Sequence, residues 1–133
     1  MLRDLKIIEK HYEMILWMYP LINKFPQKQR FVLGQQMQNS LLDILKYIIE
    51  ANEERDKTVL LKKLSVELDK FRYLFRLSKD LHLINIKQWS FGAEQINAVG
   101  KFLGGWIKMN AGERARIDNN RALPSALNRA EGI

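Results

Sequence analysis

The sequence contains no cysteine among its 133 residues, which excludes a disulfide framework and any thiolate metal site and suits a reducing compartment. Histidine is nearly as scarce, with only His11 and His82. A di-iron bundle needs a Glu-x-x-His motif on each of two helices, and the positions three before these histidines are Ile8 and Lys79. Zinc hydrolysis is equally short of ligands. No Gly-x-Ser-x-Gly elbow places a nucleophile, and Gly100, Gly104 and Gly105 are not followed by the Lys-Ser/Thr pair of a phosphate loop. The start, Met1-Leu2-Arg3-Asp4, carries no apolar signal region, and no apolar run approaches the roughly 20 residues that span a bilayer. These gaps lead to the expectation of a cytoplasmic protein that is not an enzyme, with no metal, no cofactor and no catalytic residue.

What is present is a foldable chain with a basic bias. Hydrophobic residues make up 47% and charged residues 28%, which excludes the composition of disordered chains. The net charge is +7, enough to attract polyanions.

The apolar positions recur at helical steps throughout. Leu5, Ile8, Tyr12, Ile15, Tyr19 and Ile22 mark one face of a first helix, with a kink expected before Pro20. Phe25-Pro26 closes it and opens the next segment, about Gln27 to Ala51. There Leu33, Met37, Leu41, Ile44, Ile48 and Ala51 share a face, widened by Leu42, Leu45 and Ile49. Asp56 is suited to capping a third helix, about Lys57 to Leu83, whose core side carries Leu60, Leu64, Leu68, Phe71 and Phe75. A second apolar set, Val59, Val66, Leu74, Leu77 and Leu81, falls on nearly the opposite side. One bundle core cannot use both faces, so Leu74, Leu77 and Leu81 are expected at an oligomer interface.

Asn85 and Gln88 fit a reciprocal capping box for a fourth helix through Ile96, Val99, Leu103 and Ile107, ending near Lys108 after Gly104-Gly105. The expected fold is therefore all-α, an antiparallel up-down-up-down four-helix bundle over residues 1–109. A flexible tail with at most a short helix around Ala126 to Ala130 is expected for 110–133.

The charge is concentrated. From Arg55 to Lys87 nine basic residues face four acidic ones, so most of the chain's surplus lies on or beside the third helix. Arg72, Arg76 and Lys79, spaced by four and three, share one face, where they can neutralise successive phosphates; Lys62 lies earlier on the same helix. A solvated face paired with Asp69 and Asp80 is the plainer alternative. Lys24, Lys28 and Arg30 form a second cluster, flanked by Phe25 and Phe31, which read as a hydrophobic staple rather than as base-stacking residues. Trp17, Tyr47, Trp89 and Trp106 read as packing residues.

Three motifs in order, Phe25-Pro26 with Arg30-Phe31-x-Leu33-Gly34, Arg72-x-x-x-Arg76-Leu77-x-x-Asp80-Leu81, and Gly100-x-x-Leu103-Gly104-Gly105-Trp106-x-Lys108, resemble the accessory variability determinant proteins of diversity-generating retroelements. The resemblance runs from about Leu5 to Lys108. It implies a homopentameric barrel of four-helix bundles that binds the element's reverse transcriptase and template RNA in mutagenic retrohoming. It places that family's basic surface on Arg72 and Arg76, and its first motif on Arg30. A related bundle family, encoded within intervening sequences of 23S ribosomal RNA genes, shares weaker forms of the first motif and implies instead a structural or ribosome-associated role.

Overall fold

The structure, a computed structural model, describes the backbone of residues 2–131 and the side chains of residues 6–121. Four long helices account for nearly all of it: α1 (Leu2–Asn23), α2 (Gln35–Glu53), α3 (Thr58–Asp80) and α4 (Ile86–Glu131). No strand occurs among the described residues. Each helix packs against the next in sequence, and α4 closes the ring against α1. Cross-helix contacts run in opposite senses, Met37 meeting Ser78 and Ser40 meeting Glu67 between α2 and α3. The helices therefore alternate up and down, as short connections require.

The first helix buries a face one position removed from the expected one. Ile7, His11, Met14, Met18 and Ile22 are enclosed, whereas Ile8, Ile15 and Tyr19 flank the core and Tyr12 is exposed; Leu5 lies outside the described side chains. The helix carries apolar groups around most of its girth, and packing against both α2 and α4 selects the stripe between them. Pro20 does not divide the helix. It is exposed, as is Leu16, so the carbonyl that lacks a donor lies on the solvent side.

Between α1 and α2 the chain makes a short turn, Gln27–Gln29, and then a π-helical turn, Arg30–Gly34. The wider turn sends Leu33 and Gly34 inward and leaves Arg30, Phe31 and Val32 outside. Gly34 sits closely against α1 there, since a Cβ would lie 3.1 Å from Ile22 Cγ2. The expected staple is thus only half formed: Phe25 is buried, but Phe31 is exposed beneath the Arg30 guanidinium. Along α2 the expected face is buried throughout, while Leu42 and Ile49 remain exposed.

The N-cap of α3 is Lys57 and not the expected Asp56, which lies one residue earlier and still accepts at Oδ1 from the Thr58 amide at 3.1 Å and the Thr58 hydroxyl at 2.7 Å. Leu61 replaces Leu60 in the α3 core, beside Leu64, Leu68, Phe71 and Phe75. The helix stops at Asp80, short of Leu83, because His82 turns left-handed (φ 61°) and the Leu83 amide folds back to the Ser78 carbonyl at 2.9 Å. Asn85 and Gln88 then cap α4 reciprocally, at 2.9 and 2.8 Å.

The largest departure is at the other end of α4. The helix does not end near Lys108 but continues to Glu131. Gly104 and Gly105 have nothing within 4 Å of a would-be Cβ, so they mark neither a break nor a close approach. Trp106, not Ile107, completes the core stripe after Ile96, Val99 and Leu103.

Candidate nucleic-acid and protein interface

The basic row of α3 lies between the core face and the second apolar face, turned towards α4. An open cleft of about 570 Å³ runs between these helices, lined by Asp69, Arg72, Tyr73, Phe75, Arg76, Trp89, Ala93, Ile96 and Asn97. The fold therefore brings Arg72 and Arg76 onto one concavity. Lys79 sits at its Trp89 end, its ammonium 4.2 Å from the ring centroid of Trp89.

The three cations are held differently. Arg72 is half-buried, its guanidinium lying over Gly100 and its Nη1 3.9 Å from Asp69; its Nε is enclosed without a hydrogen-bond partner. Arg76 is exposed and faces Asp80 at 3.7 Å. Lys79 shares Asp80, also at 3.7 Å. Both acids of the plainer reading are thus in place. These ion pairs are long and solvent-facing, and such pairs contribute about 0–1 kcal/mol, so a phosphate can displace them at little cost.

Arg30 and Lys62 do not join this cleft. Arg30 belongs to the π-helical turn, with its Nη1 donating to the Asn23 carbonyl at 3.4 Å. Lys62 is exposed near the start of α3, lining a second hollow with Thr58, Ser65, Asn110 and Arg114. There Asn110 and Arg114 both donate to the Thr58 hydroxyl, and Arg114 stands 3.6 Å from Asp56. The Asp56 carboxyl is held below its ordinary range, chiefly by the Thr58 hydroxyl and amide and then by Arg114.

The second apolar face is open. Val59, Val66, Leu77 and Leu81 are exposed, as is Tyr73 beside them, whereas Leu74 is half-buried against the core. Trp106 is buried, and Trp17, Tyr47 and Trp89 pack against the core as expected. Tyr73, Asn97 and the Gly100 support beneath Arg72 were not among the sequence candidates. The placement of Tyr73 next to Arg72 and three before Arg76 is the signal that could have found it.

A family model matches residues 5–110, described as bAvd-like. The chain belongs to the bAvd-like family. No curated protein matches the sequence. The family match spans the whole bundle, the π-helical turn and the α3/α4 cleft, and ends where Asn110 makes its bond to Thr58. In this bAvd-like chain α4 continues for a further stretch beyond the matched region. Among the described residues, no helix is long and apolar enough to cross a membrane.

Proposed function

We propose that this bAvd-like protein is a non-catalytic accessory factor of a diversity-generating retroelement, binding the element's reverse transcriptase and template RNA to support mutagenic retrohoming. The observation that carries the reading is the convergence of Arg72 and Arg76 on one open cleft, with Lys79 at its end, in a chain of this family. The cleft offers charge and aromatic surface, which are means of binding rather than of bond-making. The exposed apolar face of α3 supports assembly into a homo-oligomer, with the pentameric barrel as the proposed form.

Replacing Arg72 and Arg76 together by alanine tests this. Binding of single-stranded template RNA should weaken, and the slope of log affinity against log salt should fall by about 0.7 for each phosphate no longer neutralised. Capture of the reverse transcriptase should weaken in parallel. Unchanged RNA and polymerase binding in a variant of equal stability would sink the assignment and leave a structural or ribosome-associated bundle as the better account.

A further inference from the structure

The α3/α4 cleft is more specific than a charged surface. Arg72 lies over Gly100, where an added Cβ would meet its Nη2. Its enclosed Nε has no partner, so the outer guanidinium nitrogens are the ones open to a ligand. One residue on, Tyr73 is 71% exposed at the rim, and Arg76 lies one turn further along the same rim. Across the cleft, Trp89, Ala93 and Ile96 supply an apolar wall and Asn97 an amide that can both donate and accept. The volume, about 570 Å³, is within the range of small-ligand sites.

We propose that this cleft receives one unstacked nucleotide of a single-stranded nucleic acid, its phosphate on Arg72 and Arg76 and its base stacked on Tyr73. The inference rests on the nucleic-acid reading above and adds to it a strand preference and a stacking residue. Two cations facing an aromatic rim complement a phosphate with its attached base. A base already stacked and paired in a duplex has no free face for Tyr73, so single strands are selected.

The test uses the full chain and a fluorescent short oligoribonucleotide, alone or annealed to its complement, with binding read by anisotropy across a salt series. Tyr73→Ala should weaken single-strand binding about five- to a hundred-fold, the range expected when one base–aromatic stack is removed, with the salt slope unchanged. Duplex binding and particle mass should not change, and Tyr73→Phe should retain the affinity. Gly100→Ala should displace the Arg72 guanidinium and lower the slope by about 0.7 while the bundle stays folded. Single-strand affinity unaffected by Tyr73→Ala, alongside a loss in the arginine pair variant, overturns the nucleotide pocket but leaves the proposed function standing. Equal losses on single strand and duplex, or a changed particle mass, also overturn the stacking role. If the arginine pair variant loses nothing either, both readings fall.

Discussion

His11 is fully enclosed between α1 and α2, its Nε2 within 2.8 Å of the Leu41 carbonyl and its Nδ1 without a partner. Burial pushes the imidazole down to about 4 from an ordinary 6.5, against the smaller opposing effect of the Leu41 hydrogen bond. In the unfolded chain the ring takes up its proton near its ordinary value. Between the two values the unfolded state binds more protons, so this contribution is present near neutrality and is lost as the pH falls. Between pH 7 and about pH 4.5 the parent should lose about 2 kcal/mol more than His11→Gln in urea unfolding, and equal losses would refute the buried neutral ring. Two glycines in α4 give opposite expectations. At Gly92 a Cβ would lie 2.6 Å from Phe75 Cε2 and 3.1 Å from Trp17 Cζ3, so Gly92→Ala should cost about 1–2 kcal/mol despite the better helix former. At Gly104 nothing intrudes, and Gly104→Ala should stabilise by up to about 1 kcal/mol, measured by the same unfolding curves.

At the scale of the helix, chain ends decide more than propensity does. The left-handed His82 closes α3 although its β-carbon disfavours that conformation, and the side chain is exposed. His82→Gly should therefore raise stability by up to about 1 kcal/mol, and a decrease would mean that the imidazole makes a contact of its own. The cap at Asn85 with Gln88 was legible in the sequence because it needs only residues within one turn, and Asp56 was placed one residue short of the Lys57 N-cap. The α2 core face was legible too, since Met37, Leu41, Ile44, Ile48 and Ala51 recur at steps of four and three. The buried face of α1 was not: apolar residues surround that helix, and His11 and the two methionines, Met14 and Met18, joined the core in place of Ile8, Ile15 and Tyr19. The π-helical turn was hidden for a different reason. It brings Gly34 against Ile22 of α1, a tertiary contact that no local spacing encodes. The length of α4 was hidden because fading apolar periodicity looks like the end of a helix. A helix that leaves its bundle loses the need for a buried stripe without losing its backbone hydrogen bonds.

At the scale of the molecule, the sequence placed Arg72, Arg76 and Lys79 on one face but could not show the cleft, because its opposite wall comes from α4. Nor could it separate Arg72, packed on Gly100, from the freely exposed Arg76. The open apolar face of α3 remains the feature with most bearing on assembly. Val59 and Val66 lie seven residues apart on a face that runs on to Leu77 and Leu81, all exposed, and Leu42 and Ile49 are exposed on the neighbouring α2. Exposed apolar residues gathered on one helix face of a monomer are a liability unless another subunit covers them. Leu77 is 42% exposed, so glutamate there can be solvated in the free subunit but would bury an unpaired carboxylate in an interface. Light scattering of Leu77→Glu should thus report a smaller particle than the parent, with helix content by circular dichroism unchanged. A particle of the parent's size would move the interface elsewhere. A parent that is already monomeric would remove the oligomer from the proposed function.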